Sequence, residues 1–182
     1  MAAVESIKRT LETKHLMTGG TKEDLEKRLA MWHNNDTDKA LADLSMTDDM
    51  VDSIERTYLR SVAARLGVLA PKSRKNQMQE IVKEWLRLAR RLKELGVRPE
   101  GKVEDLKAAL KLWSNRTPKQ AIADRTITAE EAVSLDSATL AGALRDLGVD
   151  TTGDVSPRLL ATQLMKILNP SEKRSQDEKP KG

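Results

Sequence analysis

Cysteine and phenylalanine are both absent from this 182-residue chain. Without cysteine there are no disulfides, iron–sulfur clusters or thiolate zinc sites. Three Trp and one Tyr are the only aromatics, so the apolar bulk falls to Leu, Ala, Val, Ile and Met, a set that favours helices over sheets. No apolar run approaches the ~20 residues needed to span a bilayer, so membrane insertion is not expected. The amino terminus MAAVESIKRT lacks the apolar core of a signal peptide. The two histidines, His15 and His33, are expected at the surface and have no carboxylate or nucleophile pattern beside them. A glycine-rich nucleotide loop is missing as well. The expectation is a protein that is not an enzyme, with no catalytic or metal site, no cofactor and no small-molecule substrate.

What is present is a repeat. Laid over itself with Lys8 on Ala89, the sequence aligns positions 8–88 with 89–169 without a gap. Eighteen pairs are identical, among them Gly20/Gly101, Asp24/Asp105, Leu25/Leu106, Trp32/Trp113, Thr47/Thr128, Ser53/Ser134 and Gly67/Gly148. Ordinary residue usage would give roughly five by accident. The +4 net charge is spread evenly: residues 8–88 carry 15 basic and 13 acidic groups, residues 89–169 carry 13 and 11. A mild, distributed positive charge permits nucleic-acid binding without demanding it. Repetition favours a repeated surface over one buried catalytic centre.

Punctuation divides each copy into short helices. Val4, Ile7 and Leu11 mark a first helix over about Val4–His15. Thr21 caps a second, with Glu23 and Asp24 in its first turn, and Asn34-Asn35 ends it. A short third helix starts at Asp36-Thr37, and in the second copy at Thr117-Pro118. A longer fourth runs from Thr47 to Leu66-Gly67 and from Thr128 to Leu147-Gly148, with Thr128 and Glu131 forming a capping box. Gly67, Gly96 and Gly148 are expected as helix C-caps, and Trp32, Trp85 and Trp113 as core.

Between Gln77 and Leu95 there is neither Gly nor Pro, and Met78, Ile81, Trp85, Leu88, Leu92 and Leu95 form one stripe. This predicts a continuous helix over Ser73–Leu95, about 34 Å long, that joins the two copies rigidly. The fold class is therefore all-α: two tandem repeat units over 1–88 and 89–169, then a polar tail over 170–182 with too little apolar surface to fold.

Each unit also repeats internally. LKELGVRPEGKV at 92–103 and LRDLGVDTTGDV at 144–155 share one pattern, with looser versions at 11–25 and 62–78. Four helix–extended turn–helix modules result, near 4–34, 56–87, 88–115 and 137–168. The segments LMTGGTKEDLEKRLAMW at 16–32 and RLKELGVRPEGKVEDLKAALKLW at 91–113 resemble SAP motifs, and the modules share the skeleton of the related LEM and Rho amino-terminal types. The resemblance covers about two thirds of the chain.

That resemblance implies binding of double-stranded DNA at the turn and the start of the second helix, where free amides and the helix dipole suit a phosphate. Carried onto these positions, it marks Gly20, Thr21 and Lys22 in the first module and Arg98, Gly101 and Lys102 in the third. In the second module the glycine is missing and Lys72, Arg74 and Lys75 cluster at the corresponding place. The fourth departs, with Asp150 and Asp154 where a cation is wanted. Glu23, Asp24, Glu104 and Asp105 oppose phosphate near the first and third turns. The function expected is a DNA-binding or architectural one in the nucleus or an organelle. The alternative is a scaffold that uses the same modules to bridge protein subunits of a large assembly.

Overall fold

A computed structural model describes residues 2–67, 72–153 and 155–170. The tail over 171–182, together with Asp154, lies outside the described residues. Among those described, the regular structure is helical throughout, interrupted by two isolated antiparallel bridges. The chain divides into two compact units, Met1–Arg90 with Glu100–Ala108, and Arg91–Pro99 with Ala109–Gly182.

The first unit begins with α1 (Ala2–Thr13) packed on α2 (Lys22–Met31). The helices α3 (Thr37–Ala42), α4 (Asp48–Asp52) and α5 (Arg56–Leu66) follow, each started by a side-chain cap. Asp36 accepts from the Lys39 amide at 2.8 Å, and Thr47 accepts from Met50 at 3.2 Å. Such caps satisfy amides that the first helical turn leaves open. The core gathers Leu11, Leu16, Leu25, Trp32, Met46, Ile54 and Leu59, all at most 1 % exposed.

The fourth helix expected from the sequence is two helices. The residues Ser53-Ile54-Glu55 leave the helical path to pair with the extended turn after α1. The Met17 amide donates to the Ser53 carbonyl and the Glu55 amide to the His15 carbonyl, both at 2.9 Å, forming the Leu16–Ile54 bridge. The buried turn needs backbone partners, and the helix breaks to supply them. The Glu55 carboxylate then restarts α5 by accepting from the Thr57 and Tyr58 amides at 2.9 and 3.0 Å.

The long helix α6 runs over Lys75–Leu95, two residues shorter at its start than expected. Met78, Trp85, Leu88 and Leu92 are buried as the stripe requires, and Val82, Leu86 and Ala89 are buried beside them. Its successor α7 covers Val103–Leu112.

In the second unit come α8 (Pro118–Ala123), α9 (Ala129–Val133), α10 (Ser137–Asp146) and α11 (Pro157–Leu168), with α11 packed on α9 and α10. The helix expected from Thr128 to Leu147 breaks here as well. Arg98 donates its amide to Ser134 at 2.9 Å and Asp136 donates to Gly96 at 2.8 Å, giving the Val97–Leu135 bridge. Leu135, Leu140, Leu144 and Leu164 are fully buried. Thr128 and Glu131 form the expected capping box.

Of the three expected C-cap glycines, Gly96 and Gly148 take the left-handed conformation, with φ of 81° and 83°, whereas Gly67 is extended at −167°. A Cβ at Gly67 would come 2.8 Å from Ile81 Cγ2. Gly67 is the C-cap of α5, as expected, in an extended rather than left-handed conformation, and it also lets the backbone pass close to α6.

Candidate nucleic-acid interface

The first turn-to-helix junction is built by Gly20, whose φ of 108° belongs to a region L side chains rarely enter, and by Thr21, the N-cap of α2. The amide and hydroxyl of Thr21 both donate to Asp24 Oδ2 at 2.8 Å, and the Asp24 amide donates back to Thr21 Oγ1 at 3.2 Å. The Thr21 hydroxyl, then its amide, hold the Asp24 carboxyl below its ordinary value near 3.8. A carboxylate of the chain itself thus stands at the helix start where a phosphate was expected. Lys22 is exposed, with Nζ 3.6 Å from Glu26, and Lys27 lies 3.0 Å from Glu23.

The second junction repeats this closure. Gly101 has φ 94°, and the Lys102 amide donates to Asp105 Oδ2 at 2.8 Å. The indole of Trp85 ties the turn to α6 by donating to the Gly101 carbonyl at 2.9 Å. The Lys102 side chain is exposed and has no ion-pair partner among the described residues. Glu104 and Asp105 flank it in the first turn of α7.

Arg98 is placed differently from the expectation. Its Nε donates to the Leu135 carbonyl at 3.1 Å and its Nη2 to the Val133 carbonyl. The guanidinium therefore caps the α9–α10 break inside its own unit. Arg90 does the same for Leu44 and Met46 in the first unit. Both arginines act as backbone staples, which spacing along the chain cannot disclose.

The Lys72, Arg74 and Lys75 cluster is partly available. Lys72 and Arg74 are exposed, and the Arg74 amide donates to Gln77 Oε1 at 2.7 Å. Lys75 is half-buried as the first residue of α6, its Nζ donating to Met17 Sδ at 2.7 Å. The nine residues singled out by the sequence therefore fall into two capped turns, one staple and one short cationic stretch. Among the described residues no group of three or more His, Asp or Glu is placed to hold a metal, and no helix is long and apolar enough to cross a membrane.

A further feature, in the second unit, escaped the sequence reading. α8, α10 and α11 enclose an open cleft of about 480 Å³, lined by Ile122, Ala123, Thr139, Gly142, Ala143, Leu147 and Leu168, with Lys119, Arg125 and Asp146 at its polar positions. A signal for it exists in the sequence: where the second copy has the small residues Thr139, Gly142 and Ala143, the first has Tyr58, Ser61 and Val62. Volume is lost at three neighbouring positions of one helix. No protein-family model, curated protein or solved structure matches this chain.

Proposed function

We propose that this protein is a non-catalytic scaffold whose tandem units, each built of SAP-like helical hairpins, bind protein partners in a larger assembly. The observation that carries this reading is the carboxylate at both glycine turns: Asp24 and Asp105 accept the amides of Thr21 and Lys102, each at 2.8 Å, and so place a negative charge at the helix start where a phosphate would sit. A carboxylate in that seat repels a second anion. Apolar side chains at the surface favour protein partners. Among them are Met31 and Leu112, which hold equivalent positions in the two copies at the ends of α2 and α7 and are 40 % and 55 % exposed. The duplication itself is supported by hydrogen bonds that recur at equivalent positions, including Met17 to Ser53 and Arg98 to Ser134.

The test is isolation of the tagged full chain from its source with and without nuclease. A stoichiometric complex that survives digestion supports the scaffold. Loss of every partner on digestion overturns it.

DNA binding is the second reading, favoured by the exposure of Lys72, Arg74 and Lys102. It requires affinity for duplex DNA that falls steeply between about 50 and 200 mM salt, with a shallower slope after Lys72→Ala and Arg74→Ala. An unchanged slope removes those residues from the interface. Absence of binding at the lowest salt removes DNA.

A further inference from the structure

We propose that the cleft between α8, α10 and α11 is a docking site for one aromatic side chain, tyrosine best, from an acidic segment of a different protein. The inference rests on the scaffold reading and names the chemistry of one partner. Its starting point is the first unit, where the corresponding place is filled from within. There Tyr58 on α5 reaches α3 to bond Asp38 through its hydroxyl, and its ring stacks on His15 with centroids 4.3 Å apart and planes 3° from parallel. At the equivalent positions of the second copy, Tyr58 becomes Thr139, His15 becomes Gly96 and Asp38 becomes Lys119. Both rings are gone. Thr139 packs directly against Gly96, and the space is left as a cleft.

A volume of about 480 Å³ falls in the range of sites that bury small organic groups, about 300–1,000 Å³. Its floor is aliphatic, formed by Ile122, Ala143 and Leu168, the surface on which aromatic anchors act as binding hot spots. The polar positions are reversed in sign relative to the first unit: Asp38 and Arg65 are replaced by Lys119 and Asp146. Lys119 can donate to a phenol oxygen and Asp146 can accept a hydrogen bond from the phenol O–H. Arg125, where the first unit has Leu44, adds a second cation and makes the rim net positive, which suits acidic residues flanking the anchor.

Residues 171–182, SEKRSQDEKPKG, contain no aliphatic or aromatic side chain beyond proline. A second copy offers no free indole or phenol among the described residues: Trp32, Trp85 and Trp113 are at most 7 % exposed, and the single Tyr is held by Asp38 and His15.

The probe is p-cresol, the tyrosine side chain as a free molecule, titrated into the ¹⁵N-labelled full chain. Saturable shifts at the Gly142, Ala143 and Leu147 amides are expected. The blocking variant is Gly142→Leu, because a Cβ there meets nothing within 4 Å and the glycine sits inside a helix. It is expected to fold with undiminished helical circular dichroism and to weaken p-cresol at least tenfold, whereas Ser61→Leu, its counterpart in the first unit, leaves binding unchanged. No shifts at the cleft, or shifts insensitive to Gly142→Leu, overturn the proposal.

A photo-reactive residue at Ala123, on the rim, then identifies the occupant in the nuclease-treated complex. Cross-linking to a tyrosine-bearing acidic segment of another protein supports the assignment. Cross-linking to a second copy, or to a segment without an aromatic residue, overturns the docking assignment while the scaffold reading stands. Dissolution of the complex by nuclease overturns both.

Discussion

Trp32 donates its indole N–H to the hydroxyl of Ser53 at 2.7 Å, and the Ser53 hydroxyl donates in turn to the Met50 carbonyl at 2.6 Å. At the equivalent place in the second copy, Ser134 makes the same bond to Glu131 at 2.6 Å, but the buried indole N–H of Trp113 has no partner among the described residues. Arg116 instead lies over the Trp113 ring, 5.4 Å from its centroid. The same two residue types are thus coupled in one unit and uncoupled in the other.

Ser53→Ala leaves a buried indole N–H unpaired and is expected to cost about 1–3 kcal/mol. Ser134→Ala strands no donor and should cost about 1 kcal/mol less. Urea unfolding of the two variants checks this, and equal losses would remove the indole bond as the source of the difference.

Gly20 and Gly101 share the left-handed backbone but differ in room. A Cβ at Gly20 would meet Asp24 Oδ2 at 3.0 Å, and at Gly101 it would approach Asp105 Oδ2 more closely still. Gly20→Ala is expected to cost about 1–2 kcal/mol from conformation, and Gly101→Ala more. Gly153→Ala, with φ 117° and no atom within 4 Å, isolates the conformational part. If all three midpoints shift equally, crowding by the capping aspartates is not a factor.

Gly67 is a case of contact alone, since its extended backbone suits any residue. Gly67→Ala should destabilise by pressing on Ile81, at the roughly 1–3 kcal/mol typical of overpacking. Against Ile81→Ala, which removes the Cγ2 methyl, Gly67→Ala should cost less than it does in the native chain. A double-mutant cycle with no coupling energy would refute the contact.

Glu131 sets an acid limit on the second unit. Burial alone would raise its pKa. The Thr128 amide and the Arg116 guanidinium, 2.9 and 2.7 Å from Oε1, outweigh it and hold the group below its ordinary value near 4.5. A depressed pKa contributes stability that is present above 4.5 and lost as pH falls through the folded value. Glu131→Gln should therefore flatten the loss of stability below about pH 4.5, followed by helical signal in urea at each pH. Met50, its counterpart in the first copy, cannot titrate, so Met50→Gln should leave that slope unchanged.

Much of this architecture was legible because it is local. Thr47, Thr128, Thr117 and Ser156 start the helices the sequence assigned to them, since a cap and its target amide lie within three residues. Trp32, Trp85 and Trp113 are buried where their spacing put them. The broken fourth helix was not legible: nothing within one turn of Ser53 or Ser134 forbids a helix. The partners that draw those residues out, Met17 and Arg98, lie more than thirty positions away. Arg98 shows the same limit, a cation in a promising turn whose guanidinium is committed to Val133 and Leu135.

The sequence by itself determined the helical class, the caps at Thr21, Thr47, Thr117, Thr128 and Ser156, and the apolar stripe of α6, because each rests on residue types and spacings along the chain. Only the tertiary structure decided which cations are engaged, that Asp24 and Asp105 close the helix starts, and that the place filled by Tyr58 is a cleft beside Thr139. Those outcomes depend on which distant groups share a volume, and volume is occupied in three dimensions.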